Sequence, residues 1–166
     1  TFSLEHQIAY ISWFNESNLL LVLESGQSKQ HVWLFDINTE KLQKIIHRDA
    51  KRTSMTKTGK IIYQDFYNNF YLFDPQEGTQ KQIMSLIDYP FINWKYLDKH
   101  IYYSTGRNLI RYSMETEKET TIFYGFNTDE KTIMDFTILN NDGFLKFIFE
   151  VQHFKSNSVI LLENLK

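Results

Sequence analysis

Polar turns and short apolar runs alternate along the whole chain, and the same order returns at regular intervals. Four apolar runs that each follow a polar turn start about 40 residues apart. They begin at Leu19, Ile61, Ile101 and Phe144. The runs are rich in β-branched and aromatic residues, and 53–73 lacks a sustained i, i+3, i+4, i+7 apolar pattern. This pattern predicts short strands separated by turns rather than helices.

A second anchor repeats with nearly the same period. It is a large apolar residue followed by a polar one at the end of a strand-like run. Its copies are Phe35-Asp36, Phe73-Asp74, Tyr112-Ser113 and, more weakly, Leu162-Glu163. A polar turn after each copy leads to a further, more polar strand such as 41–45. A period of about 40 residues with about four strands per unit is typical of a β-propeller blade.

The two anchors together predict an all-β fold. We expect a β-propeller-like array of about four four-stranded repeats, either complete or a fragment of a larger propeller. The whole of 1–166 is predicted to be a single β-propeller-type domain. Its repeats are placed approximately at 8–46, 53–84, 91–123 and 133–165.

A blade must stack on neighbours to bury its faces, so the first and last repeats of the array need partners. The sequence does not show what those partners are. Three arrangements remain: a compact four-bladed ring, an open fragment that forms a homodimer through exposed blade faces, and a non-propeller β fold. If the homodimer forms, a charge introduced at a face residue such as Ile62 or Tyr102 is expected to abolish it.

Composition narrows the function classes. Aromatic residues make up 16% of the chain, which favours β structure, and the net charge of −2 comes from interspersed charges. We therefore expect no direct nucleic-acid binding by this segment, because a phosphate-binding surface needs clustered Lys and Arg. The lack of cysteine excludes disulfides, thiolate metal sites and a thiol nucleophile.

Features of the chain's ends point to a longer protein. No apolar run approaches the roughly 20 residues that span a bilayer, and no signal peptide opens the chain. The chain starts with Thr1 rather than Met. We expect it to be an excised or processed piece of a longer protein, with a small natural protein that has lost its initiator Met as the alternative.

The segment from Ser12 to Asp36 resembles a TolB-type, WD-like propeller repeat. That pattern has a Trp-Ser-Pro-Asp-Gly-like turn, an apolar strand, and an aromatic-rich strand that ends in Asp. Trp13 and Trp94 match its tryptophan, and Phe136 takes that place in the last repeat. Asp36 and Asp74 match the terminal Asp, Ser113 and Glu163 depart from it, and the Pro-Asp-Gly turn is absent from every copy. The resemblance supports the fold more than the function.

Several residues suggest binding chemistry, but each has a simpler structural interpretation. We expect Trp13, Trp33 and Trp94 to pack in blade cores rather than to stack on a ligand. Asp36 and Asp74 are expected to cap backbone N–H groups at strand ends rather than to bind metal.

Histidines and basic residues show no catalytic or metal-binding spacing, and we interpret them as surface groups. The histidines are His6, His31, His47, His100 and His153. The tripeptide His47-Arg48-Asp49 is similar to a kinase catalytic loop but lacks the Asn at 53, so we predict an ordinary loop there. We expect a solvated inter-blade loop for the basic cluster Arg48, Lys51, Arg52 and Lys57.

No serine-hydrolase elbow and no glycine-rich phosphate loop occurs, and we predict no catalytic, cofactor-binding or metal-binding residues and no cofactor. The repeats resemble the C-terminal sensor regions of membrane-bound transcription regulators of the CadC/ToxR type. This implies a non-catalytic input domain of a bacterial regulator that binds a protein partner or a small-molecule signal, in an extracytoplasmic, periplasmic position. A cytoplasmic location stays open. The alternatives are a periplasmic TolB-like scaffold and the propeller cap of a prolyl-oligopeptidase-like peptidase.

Overall fold

The computed structural model describes residues 7–26, 29–89, 93–125, 131–141, 144–153 and 157–165. Their regular elements are β-strands, as the alternating pattern predicts. Contacts divide the chain into two compact units, Thr1–Ile87 and Asp88–Lys166, here called the N-terminal unit and the C-terminal unit.

The N-terminal unit contains one antiparallel sheet in which every strand pairs with the next one along the chain. Its strands are β1 (Gln7–Asn15), β2 (Asn18–Ser25), β3 (Lys29–Asp36), β4 (Lys41–Met55), β5 (Ile61–Asp65), β6 (Asn69–Asp74) and β7 (Thr79–Ser85). Strand β4 pairs with β3 up to Ala50 and with β5 from Ala50 onward. It therefore ends a first four-stranded group, β1 to β4, and begins a second, β4 to β7.

The register of β4 is irregular where it changes partner. Shifts occur opposite Gln30 to Trp33 of β3 and again between Ala50 and Arg52. Such bulges bend a strand and increase its local twist. The bend brings residues of both strand groups into one core, formed by Leu20, Val22, Val32, Ile46, Ala50, Ile61, Tyr63, Tyr71 and Phe73.

The C-terminal unit contains two separate antiparallel sheets. The third strand group consists of β8 (Asn93–Leu97), β9 (His100–Ser104), β10 (Leu109–Ser113) and β11 (Lys118–Phe123). The fourth consists, among the described residues, of β12 (Lys131–Asn141), β13 (Phe144–His153) and β14 (Asn157–Leu165). An aromatic core joins the two groups and includes Tyr102, Phe136, Phe147 and Phe149.

Neighbouring strand groups stack by the same rule in both units. Leu20 and Val22 of β2 share a core with Ile61 and Tyr63 of β5, and Tyr102 of β9 packs on Phe147 of β13 with ring centroids 5.5 Å apart. In each case the second strand of one group faces the second strand of the next. The strand groups therefore stack face to face, as propeller-type repeats must to bury their apolar faces.

Candidate binding hollow

The two strand-end aspartates cap turns, as predicted. Asp36 Oδ1 accepts backbone N–H bonds from Asn38 and Thr39 at 2.9 and 3.1 Å. Asp74 Oδ1 accepts the equivalent bonds from 76 and 77, and its other oxygen lies 2.9 Å from the Lys60 ammonium. These bonds hold the pKa of both carboxyls below the ordinary value: the backbone N–H groups dominate at Asp36 and the Lys60 bond at Asp74.

Ser113, one of the two residues that depart from the Asp pattern, takes the same role. Ser113 Oγ accepts the backbone N–H of Thr116 at 3.3 Å, so a hydroxyl replaces the carboxylate in the third group. All three side chains accept backbone N–H bonds at a turn, as capping residues do.

The tryptophans are not equivalent, and the prediction of a core position is wrong for Trp13. Trp94 is 1% exposed, whereas Trp13 is 61% exposed. Strand pairing explains part of the difference, because Trp13 lies opposite Leu19 near the turn while Trp94 lies opposite Tyr103 deeper in its sheet. Phe136, the residue in this place in the last repeat, is buried.

Trp33 is half-buried, and its Nε1 has no hydrogen-bond partner in the part of the chain that the structure describes.

Most of the predicted basic loop is strand. Arg48, Lys51 and Arg52 lie in β4, and so does Asp49, because the backbone there finds partners on both β3 and β5. The loop predictions for the His47-Arg48-Asp49 tripeptide and for this part of the cluster are therefore wrong. Lys57 alone of the four basic residues lies in a turn.

Arg48 is tied to neighbouring aromatic and acidic groups. It donates to Tyr71 Oη at 3.0 Å, with its guanidinium carbon 5.4 Å from the Tyr71 ring centroid. Tyr71 in turn donates to the buried Asp65 at 3.4 Å. Asp49 pairs with Lys29 at 2.9 Å. Arg48 and Asp49 are therefore both engaged in contacts within the N-terminal unit.

The described histidines are dispersed. His31 is only 15% exposed in its side chain, so the surface interpretation is wrong for it; Nε2 lies 3.2 Å from Ser25 Oγ and Nδ1 lies 3.9 Å from Asp49. His100 Nδ1 contacts the Asp98 carbonyl oxygen at 2.7 Å. His6 and the side chains of His47 and His153 lie outside the described residues.

The second and third groups each contain a buried tyrosine that donates to a polar side chain two strands along the sheet. Tyr63 donates to Gln80 at 2.9 Å and Tyr103 donates to Glu119 at 2.7 Å. Burial raises the pKa of Tyr63 to about 12, and burial together with the Glu119 bond raises the pKa of Tyr103. The first group carries leucines at the equivalent places, Leu21 and Leu42. These tyrosines are structural donors, held in their neutral form.

The feature of the N-terminal unit best suited to binding is a hollow of about 330 Å³, here called the β1–β4 hollow. Its buried apolar lining comes from Leu20, Val22 and Ile61, each no more than 2% exposed. Around these lie Ala9, Tyr10, Gln30, Arg52, Thr53, Ser54 and Met55. Thr53 Oγ1 donates to Gln30 Oε1 at 3.2 Å, which fixes both side chains.

The chemistry of the hollow is that of a binding site. An apolar floor with a few polar groups at the margin is the usual composition of a ligand pocket, and the volume lies at the small end of the usual range. Apart from Arg52 and the strand residue Ile61, its residues were not singled out from the sequence. Its lining comes from five strands that are dispersed along 9–61, so no local motif marks it.

A second hollow, of about 320 Å³, lies on the face of the fourth group that points away from the aromatic core. It is lined by Asp135, Phe136, Thr137, Ile148, Glu150, Ser158 and Val159. Asp135 is already engaged, since Asn93 donates to its Oδ1 at 2.6 Å. This hollow is called the β12–β14 hollow below.

Metal and membrane features are limited in the described ranges. They contain no group of three or more His, Asp or Glu side chains placed to hold a metal ion. Nor do they include a helix with the length and apolar character needed to cross a membrane.

Comparison with known proteins supports the fold and leaves the family open. No family model and no curated protein matches the chain. Solved structures do: the N-terminal domain of Nup159, seen also in a complex from S. cerevisiae, superposes with a TM-score of 0.66 at 8% identity. The match covers 96% of this chain and 46% of that domain.

Two further neighbours differ in kind. The extracellular domain of the putative one component system BT4673 from B. thetaiotaomicron matches with a TM-score of 0.52 at 12% identity, over 93% of this chain and 27% of that one. Puromycin hydrolase matches at 0.51 and 12% identity, over 87% and 26%. The chain thus spans less than half the length of these structures. The stacked antiparallel groups and these neighbours together show that the chain has an all-β, β-propeller-like fold.

Proposed function

We propose that this chain is a non-catalytic sensor or interaction domain whose ligand binds in the β1–β4 hollow. The observation that carries the proposal is the composition of that hollow, with a buried aliphatic floor beside Tyr10, Gln30 and Arg52. Such a lining favours a small ligand, or the side chain of a partner protein, with an apolar body and a polar end.

The surroundings of the ionisable groups support a binding role rather than catalysis. The carboxylates of Asp36, Asp65 and Asp74 are used by turn N–H groups or by Tyr71. General acid–base chemistry needs a titratable pair that faces a substrate position. The β1–β4 hollow has one ionisable cation, Arg52, and one phenol, Tyr10, in its lining.

The cellular role that we propose is an extracytoplasmic input domain of a bacterial transcription regulator. The likeness to the extracellular domain of a putative one component system supports it at the level of fold. A second candidate role, the propeller cap of a peptidase, is supported at the same level by the likeness to puromycin hydrolase. A TolB-like scaffold remains a third role with no observation of its own.

Filling the hollow tests the binding proposal. Ala9 lies in the lining and is exposed, so Ala9→Trp occupies the hollow without removing a core contact. Thr79→Trp, on the exposed strand β7, is the control for a bulky surface change. The measurement is thermal unfolding of the three proteins against a panel of amino acids, short peptides, and mono- and disaccharides.

We expect at least one compound to raise the unfolding temperature of the wild type and of Thr79→Trp but not of Ala9→Trp, because binding to the folded state stabilises it. A compound that stabilises all three proteins must bind outside the β1–β4 hollow and would contradict the proposed site. Turnover of any peptide or ester by the purified chain would contradict the non-catalytic assignment.

A further inference from the structure

Strand β1 lies at one end of its sheet, so one side of its backbone is open to a further strand. Among the described residues it pairs with β2 alone, in an antiparallel register that is regular over 10–13 and shifts on either side of that stretch. Alternate residues of a strand direct their N–H and C=O groups to opposite sides. Every second residue of β1 therefore presents a donor and an acceptor on the side away from β2, where no described strand pairs with them.

Large apolar side chains of β1 are exposed on both faces of the strand. Ile8, Ile11 and Trp13 lie on one face, opposite alternate leucines of β2, and are 59%, 51% and 61% exposed. Tyr10 lies on the other face and is 46% exposed. An end strand with an open backbone and exposed apolar side chains is a template on which another extended chain can pair.

The other strands at the ends of the three sheets contain charged residues, which oppose such pairing. Lys81 lies in β7, Lys95 in β8 and Lys118 in β11. The two end strands beside the β12–β14 hollow are charged as well, with Asp135 in β12 and Glu163 in β14. In the described ranges β1, with the sequence QIAYISWFN, is the end strand without a charged residue. The usual protection of a sheet edge is therefore missing at β1.

We propose that β1 binds an extended, uncharged segment of a partner protein, which adds to the first strand group as a further strand. The open backbone favours an extended occupant, because main-chain pairing of this kind needs a strand. The uncharged edge favours an uncharged segment, since pairing then buries no unpaired charge. Ile11 and Trp13 favour β-branched or aromatic residues at every second position, because such residues pair well across strands. The inference goes beyond ligand binding in the β1–β4 hollow, whose lining contains neither Ile11 nor Trp13.

A labelled peptide that alternates valine and threonine between terminal lysines tests this. Its fluorescence anisotropy should rise on titration with the chain, with a Kd of about 100 µM or less. Trp13→Lys and Ile11→Lys should each weaken binding by about tenfold or more, because a lysine on an edge strand opposes pairing. Tyr67→Lys, at a tyrosine that is 72% exposed in a turn, is the matched control and should bind as the wild type does. Unchanged circular dichroism shows that the variants fold.

A methylated peptide separates strand addition from contact with an apolar face. N-methyl groups at three consecutive residues remove N–H donors from both edges of the peptide and keep its side chains, so this peptide should not bind. The unmodified peptide should slow amide exchange at alternate residues of β1.

Four results would overturn the proposal. The first is no binding of the unmodified peptide at about 1 mM chain. The second is equal binding of the methylated peptide, which would assign the contact to a face of the sheet. The third is equal binding by Trp13→Lys, which would place the peptide away from β1. The fourth is a dimer of the unliganded chain in sedimentation velocity that Trp13→Lys dissociates, because the occupant of β1 would then be a second copy.

Discussion

The N-terminal unit and the C-terminal unit stack their strand groups by one rule but join them in different ways. In the N-terminal unit β4 runs through both groups, so backbone hydrogen bonds continue across the junction. In the C-terminal unit the groups are separate sheets, joined by an aromatic core and by a few bonds such as Ile133 N–H to the Gly106 carbonyl oxygen at 2.6 Å. A face-to-face stack therefore needs matched side-chain surfaces, whereas a continuous strand is optional.

The largest expected effect concerns the aromatic junction. Phe149→Ala should destabilise the protein by about 3–5 kcal/mol, because it removes a buried ring and leaves a cavity in the C-terminal unit. Leu20→Ala makes the matching change in the N-terminal unit, at about 2–5 kcal/mol. Urea unfolding gives the loss, and amide exchange locates it. If each variant lowered protection equally in both units, the two cores would not be energetically separate.

The continuous junction depends on a small residue where β4 changes partner. Ala50 is fully buried and is paired with both Gln30 and Asp65. Ala50→Leu should cost about 1–3 kcal/mol through overpacking. Ala50→Gly removes side-chain volume where Ala50→Leu adds it, and it therefore tests whether the loss of stability depends on overpacking. If urea unfolding gave the same free energy of unfolding for Ala50→Leu as for the wild type, the bend at β4 would be able to accommodate a larger side chain.

The two tyrosine pairs allow a finer comparison between the units. Tyr103→Phe removes a bond to a carboxylate and should cost about 1.5–2 kcal/mol, while Tyr63→Phe removes a bond to an amide and should cost about 1 kcal/mol. Glu119→Gln converts the first pair into the second type. In a double-mutant cycle, Tyr103→Phe should therefore destabilise the Glu119→Gln protein by only about as much as Tyr63→Phe destabilises the wild type.

The smallest expected effect is a loss of stability in alkali. Burial raises the pKa of Tyr63 from 10.0 to about 12, and the unfolded chain therefore releases this proton first. The contribution of the neutral tyrosine is complete below pH 10 and declines as pH rises towards 12. Unfolding followed between pH 9 and 12 should show this decline, and Tyr63→Phe should make it shallower. An identical slope in the variant would assign the decline to other groups.

Local residue patterns were enough to predict much of the architecture. The all-β class, the repeat period, and the capping roles of Asp36 and Asp74 follow from alternation, turn residues and side-chain hydrogen-bonding capacity over a few positions. The buried position of Trp94 was predicted from its place in the repeat. The limits of the single predicted domain and of its repeats stay predictions. Residues 47–52, which the predicted limits leave between the first and second repeats, lie within β4.

The errors have a common physical cause. Arg48 to Arg52 look like a polar loop in isolation, but two different neighbouring strands supply hydrogen-bond partners for this backbone. Trp13 looks like a core residue, yet it pairs with Leu19 next to a hairpin turn and its face has no preceding group in the described chain. Both outcomes depend on what lies beside a strand, and a strand's own sequence does not contain that information.

The same distinction applies to the candidate sites. Sequence alone determined the all-β class, the caps at Asp36 and Asp74, and the exclusion of thiol chemistry, because these depend on residue type and local spacing. Only the tertiary structure decided that Leu20, Gln30, Arg52 and Ile61 surround one hollow, and that Trp13 lies on an exposed face. Strand stacking brings distant residues together, and burial is a property of that packing rather than of any single segment.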